Sequence, residues 1–411
     1  MDQYPYNSWP PQGGQPPAPP GGQQAQPPYG PAPFYGQPPY GAAPYGPAPA
    51  QQAPAGWQAP AGWQAPPPPA GPAYPQPYPQ PYPAPVYQAP PYALGGPRRD
   101  PLVKGAGRTM NRMCLCVIAQ TAASFLWSLL FSALMTLGGV DLYADNMAYL
   151  WLSAALVPLS TALPFALYLL VGKKDLPQYL RFEKVGFLTG LLCVVGGLAI
   201  CILGNYPAFF LQDLLGFFGY QPSSSVLGGE STWSSLALEF CSTAVLVPVM
   251  EEFAFRGVLF SALRKHGTGF AVVGSALVFA FVHLDASSVL FAFIAGLVFG
   301  FLYARTNNLW VTIAIHGLNN GIAVVSGYLD LFVPAGLADL VSSLLLLVPI
   351  ALGLAALVVL WVFRRKLFPS RAWQETPCPL EAGRAAQATV RAPLFWVTAA
   401  MMLAYTAALF F

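Results

Sequence analysis

The sequence predicts an all-α, polytopic helical membrane protein of about nine transmembrane helices, with a disordered Pro/Gly/Gln/Tyr-rich N-terminal tail. Three observations predict it. Of 411 residues, 55% are hydrophobic and only 9% charged, whereas a soluble globular chain carries roughly 25% charged residues. Apolar runs close to bilayer length recur from residue 113 onward, and a helix needs about 20 apolar residues to cross. The first quarter of the chain has a different composition altogether. The net charge of +3 is too small to argue for nucleic acid.

Residues 1–97 are built from Pro, Gly, Gln, Ala and Tyr, with Asp2 as their single charge. A hexapeptide, Ala-Pro-Ala-Gly-Trp-Gln, occupies 53–58 and repeats in step at 59–64, before a Tyr-Pro-Gln-Pro run through 74–83. Such a segment buries too little apolar surface to offset its ordering entropy, which predicts disorder with polyproline II character. The plain reading is a solvated extension dispensable for chemistry. The alternative is a tail whose Trp57, Trp63, Tyr74, Tyr78 and Tyr82 bind partners or self-associate.

Arg98, Arg99, Lys104, Arg108 and Arg112 lead into the first apolar run, 113–140. Further runs occupy 147–172, 185–204, 231–263, 270–284, 286–304, 309–329, 340–363 and 393–411. The aromatic, Gly-rich gap 205–230 reads as interfacial rather than spanning. These runs divide the chain into N-terminal helices and the interfacial segment (98–230), a core (231–330) and C-terminal helices (331–411). Basic residues fall in alternate connections: Lys173, Lys174, Arg181 and Lys184; Arg264 and Lys265; Arg305; Arg364, Arg365 and Lys366. The intervening ones carry acids, so the positive-inside rule predicts a cell-membrane protein with its N-terminal tail in the cytoplasm. The cysteines read as free thiols or core fillers.

Within the core, charge appears where it is expensive. Glu251-Glu252-x-x-x-Arg256 lies in an apolar run, and intramembrane ionisable groups persist mainly where they have a role. Phe279-x-x-x-His283 and His316-x-x-x-Asn320 follow. Glu252 and Arg256 are one turn apart and can pair, leaving Glu251, about 100° around the helix, as the freer acid and the better candidate base. Phe279 can pack beside the His283 imidazole, and His316 and Asn320 share a face. At 1.5 Å per residue, Glu252 and His283 lie roughly 18 and 21 Å from the turn near 264–269, at matched depth. One pocket can collect all of them. A carboxylate and an imidazole that activate water, facing donors for an oxyanion, are the minimum equipment for amide hydrolysis.

The ordered set of three motifs resembles the intramembrane protease family that includes type 2 CAAX prenyl proteases, lysostaphin-resistance-protein-A-like proteins and bacteriocin-processing enzymes, over roughly residues 230 to 330. The resemblance implies an intramembrane endopeptidase acting on a membrane-associated or lipidated protein or peptide. Glu251 and His283 would activate the water, and His316 and Asn320 would form the oxyanion pocket. Glu252, Arg256 and Phe279 would be structural support. No cofactor is required by that scheme, although Glu251, His283 and His316 are enough ligands for a catalytic zinc; Asn320, a poor zinc ligand, tilts the reading toward a metal-free glutamate mechanism.

Taken singly, a Glu–Arg pair reads as a clamp between helices and a lone histidine as a helix-to-helix hydrogen bond. Outside the motifs, Glu239 reads as interfacial, His266 as solvated, and Gly296 with Gly300 as a helix-packing pair. The alternatives from other classes are a proton-coupled transporter, which would show inverted repeats and discontinuous helices, and a non-proteolytic membrane scaffold or immunity protein of the same fold.

Overall fold

The computed structural model describes residues 100–139, 146–221, 232–368 and 379–410. The tail at 1–97 therefore lies outside the described residues. The principal helices are α1 (Pro101–Leu137), α2 (Asn146–Val171), α3 (Phe187–Gly216), α4 (Trp233–Arg264), α5 (Thr268–Phe281), α6 (Ala286–Thr306), α7 (Leu309–Gly327), α8 (Ala335–Val362), α9 (Ala382–Val390) and α10 (Pro393–Ala408). The class is all-α, as the sequence predicts, and each of the nine apolar runs contains a helix.

By length and composition, six of the described helices can cross a bilayer, or seven if the bent pair α9 and α10 is one span. The shortfall from nine has a geometric reason. Helix α5 has 14 residues and α10 has 16, so at 1.5 Å per residue they reach about 21 and 24 Å, short of a core about 30 Å thick. Helix α2, with 26 residues, reaches about 39 Å at the same rise and is long enough to cross. The gap at 205–230 is also revised: α3 runs on through Pro207 to Gly216, and the part of the gap beyond 221 lies outside the described residues. Asn205 caps two carbonyls there from within the helix, its side-chain amide donating to Cys201 and Ile202. Tyr206, Phe209 and Phe210 stay exposed on that extension, in keeping with an aromatic membrane boundary.

Helix ends are set by ordinary capping chemistry. Asp100 accepts the backbone N–H of Leu102 ahead of Pro101, a favoured start for a helix. Asn307, in the left-handed region at φ 47°, closes α6, and Asn308 then caps α7. Between α5 and α6, Leu284 at φ 61° breaks the helix, and Asp285 accepts the N–H groups of Ser287 and Ser288 to start the next.

The interior is built on α4, α5 and α6. Phe255, Val258, Leu259 and Phe260 of α4 are fully buried against Val278 and Phe279 of α5 and Tyr303 of α6. Gly296 and Gly300 serve the packing role the sequence suggests: a Cβ on Gly296 would stand 3.0 Å from the Ala276 Cα, and one on Gly300 3.4 Å from that of Val272. The outer faces are the reverse of a soluble protein, with Leu126, Leu130, Leu347 and Leu352 exposed. Long apolar helices that satisfy their own backbone and turn leucine outward make this a multi-pass membrane protein. One isolated reading changes: His266 is half-buried with its Nε2 2.9 Å from the Thr109 hydroxyl. Glu239, partly buried, accepts a hydrogen bond from the Tyr328 hydroxyl at 2.8 Å.

Candidate active site

Helix α4 brings both acids into the interior, and its winding is irregular on either side of them. Phe240–Leu246 and Phe253–Phe260 are π-helical, flanking an α-helical Val247–Glu252. Widened turns of this kind are uncommon and often mark functional positions. Helix α7 packs across this part of α4. The approach depends on Gly317, where a Cβ would stand 2.7 Å from the Ala244 carbonyl oxygen. Gly321, one turn on, faces the Phe240 ring. A glycine seam thus runs beside the His316-x-x-x-Asn320 pair and draws it toward the carboxylates.

Glu252 and Arg256 are both fully buried, and their ion pair is 2.8 Å long. The expected clamp is present, but it holds a third member. The same Glu252 oxygen lies 3.1 Å from His316 Nδ1. The Arg256 guanidinium is sandwiched by aromatic faces, 4.2 Å from the Phe279 ring centre and 4.8 Å from that of Phe299. Its Nε and Nη2 have no hydrogen-bond partner, so the two π faces are what the remaining cation meets. Phe299 also stacks on His316 at 5.4 Å.

Glu251 points elsewhere. It lines a cavity of about 260 Å³ together with His283, His316, Asn319 and Asn320. Its side chain is 16% exposed, against 0% for Glu252, which separates the two adjacent acids by environment. The Glu251 Oε2 has no hydrogen-bond partner and stands 3.8 Å from His316 Nε2. His283 lies just past the end of α5 rather than on it, because Leu284 and Asp285 end the helix first. Its Nδ1 is 2.9 Å from the Phe279 carbonyl oxygen. A carbonyl can only accept, so Nδ1 carries the proton and the neutral ring keeps its Nε2 lone pair. The Phe279 ring packs edge-on to His283 at 4.8 Å. Asn320 donates one amide N–H to the Thr243 carbonyl at 3.0 Å, which fixes its orientation and leaves a second donor on the same nitrogen.

All four sequence-predicted chemical residues, Glu251, His283, His316 and Asn320, therefore line one cavity, and Glu252, Arg256 and Phe279 form its wall and backing. The possible metal set of Glu251, His283 and His316 does not gather as ligands: among the described residues no three His, Cys, Asp or Glu side chains are placed to hold an ion. Sequence reasoning missed Phe299, Thr243 and Gly317. An aromatic in an apolar run carries no signal of its own, but Gly317-x-x-x-Gly321 is a legible close-packing spacing.

Residues 233–322 match the family model described as type II CAAX prenyl endopeptidase Rce1-like. YdiL of Bacillus subtilis (strain 168), whose name describes a membrane peptidase, is 33% identical over 138 residues, covering 31% of this chain and 57% of that protein. The membrane-embedded CAAX protease MroQ of Staphylococcus aureus (strain USA300) is 34% identical over 89 residues, 20% of this chain and 36% of its own. The matches thus span about half the length of these relatives or less. No solved structure matches. The resemblance read from the three motifs recurs where the motifs lie: residues 233–322 are similar to the Rce1-like CAAX prenyl endopeptidase family model.

Proposed function

We propose that this chain is an intramembrane endopeptidase that hydrolyses a peptide bond of a membrane-associated or lipidated protein or peptide. The observation that carries the reading is the pairing of two proton acceptors on one cavity, the unpartnered Glu251 Oε2 and the Nε2 of His283. A water held between them gives a proton to one as its oxygen attacks the scissile carbonyl carbon. The oxyanion then takes the second Asn320 N–H, and the Nε2–H of His316 when that ring is doubly protonated with Nδ1–H on Glu252. The C–N bond breaks as the stored proton passes to the leaving amine. Glu252 and Arg256 position His316, Phe279 positions His283, and no step passes through a metal. Support also comes from the names of the two relatives.

In this reading the chain sits in the cell membrane with its tail, 1–97, as a separate cytoplasmic segment that binds partners or itself. The test is hydrolysis of a membrane-anchored, internally quenched peptide by the purified full-length protein in liposomes, with and without a prenyl group on the peptide. Wild type should release fluorescence and Glu251→Gln should not. Equal hydrolysis by both proteins would end the proposal.

A further inference from the structure

A second cavity, of about 660 Å³, opens between α3, α6 and α8. It shares a wall with the candidate active site: α6 gives Phe299 and Ala295 to the one, and Leu297 and Phe301 to the other. The character of this cavity is different. Its walls are apolar through most of their length, and one end carries Arg305, Arg364 and Arg365. Arg305 lies over the Phe301 ring at 5.3 Å and Arg364 over Trp361 at 5.5 Å, so two guanidiniums are held at the rim by the aromatics beneath them. Among the described residues that line it there is no carboxylate.

We infer that this cavity is a binding site for one anionic glycerophospholipid, independent of the proteolytic reading. The slot takes an acyl chain, and the arginines take the phosphate, whose geometry suits guanidinium donors. Basic pockets between membrane helices favour anionic headgroups for this reason. A zwitterionic lipid would place its own cation beside the three arginines, and a soluble anion would leave the apolar slot empty. Arg305 lies in the last turn of α6, and Arg364 and Arg365 follow α8, which puts the charges at helix ends where headgroups lie.

Native mass spectrometry of the full-length protein in detergent, titrated with dioleoyl phosphatidylglycerol, dioleoyl phosphatidylcholine or inorganic phosphate, tests the assignment. One phosphatidylglycerol should be retained at concentrations where phosphatidylcholine is not. Arg305→Gln, Arg364→Gln and Arg365→Gln should each weaken it about fivefold, since a basic side chain near an anionic membrane surface is worth about 1 kcal/mol. Leu297→Trp, which fills the slot, should weaken both lipids. A thermal melt with and without phosphatidylglycerol reports the same ranking should a variant be poorly retained in the spectrometer. Equal retention of the two lipids, indifference to all three arginine variants, or protection by phosphate alone would each overturn the inference.

Discussion

The two faces of α6 show what volume does and does not say about chemistry. The cavity beside α3 and α8 is the larger, at about 660 Å³, and contains cations but no base. The cavity beside α4 and α7 is about 260 Å³ and holds a carboxylate, two imidazoles and two carboxamides. What distinguishes the smaller one is that His283, His316 and Asn320 are each committed at one atom and open at another, around an unpartnered Glu251 oxygen. Nδ1 of His283 is tied to a carbonyl and Nε2 is not, and Asn320 keeps one of two N–H groups. A large apolar slot binds; a small cavity with half-satisfied groups can react.

The sharpest way to break that contrast is at Glu251. Glu251→Gln or His283→Ala should lower peptide hydrolysis by about 10²–10⁴-fold, the usual range for a general base, while the protein accumulates in membranes at wild-type level. Matching losses from Arg364→Gln would show that the reactive cavity has been assigned to the wrong face of α6.

Next in size is the clamp behind the cavity. Glu252→Ala leaves Arg256 buried without its ion pair and should destabilise the fold by about 3–5 kcal/mol. Thermal unfolding in detergent and membrane yield would read this out. A Glu252→Ala protein that melts like wild type but has lost activity would make Glu252 a participant in the chemistry and not a support.

Gly317→Ala sharpens the comparison from a third side. Its new Cβ would press on the Ala244 carbonyl, already only 2.7 Å away, and so lift α7 from α4. We expect activity to fall more than tenfold, with the phosphatidylglycerol stoichiometry unchanged, measured on the same preparation. Loss of both together would mean that α6 moves as well.

Smaller effects should come from the edges. Burial first, and Lys265 second, hold His266 down to about 4 from 6.5. The folded chain thus refuses a proton that the unfolded chain accepts, so stability should fall as pH drops from about 6.5 toward 4 and change little above that. A melting series from pH 7.5 to 4.5 on wild type and His266→Gln checks it, the variant being expected to show the shallower decline. Least of all should be deletion of residues 1–97: turnover of a short peptide should stay within about twofold, because the segment's one charged side chain is Asp2 and it offers no histidine for the reaction. Clustering in cells, followed by fluorescence, is where the tail would register through weak multivalent contacts.

The residues of the candidate site are legible because titratable residues stand out against an apolar chain, and because three short spacings keep their order. Their supports are not. Phe299 is one of 27 phenylalanines and Gly317 one of 39 glycines, so neither type is rare enough to mark a site without knowing which helices touch. Periodicity extends smoothly through His283 and predicts a helix-face residue there, but α5 ends at Phe281 and Asp285 caps the start of the next helix. Helix α3 was cut short at 204 since aromatics and Pro207 resemble a boundary; long membrane helices tolerate both, the proline where its helix can re-satisfy the backbone. The link from Glu252 to His316 joins positions 64 apart in the chain, a contact no spacing rule encodes.

The widened turns of α4 bear on how relatives are compared. Each π-helical stretch accommodates about one residue more than ordinary winding would, so residues on its two sides fall out of step with a continuous 3.6 repeat. A related chain lacking the widening at Phe240–Leu246 should align with a one-residue gap there, in the middle of a helix where alignments resist gaps. Forcing such a pair together ungapped would set the acids about 100° out of step around the helix and align the buried acid of one chain with the cavity acid of the other.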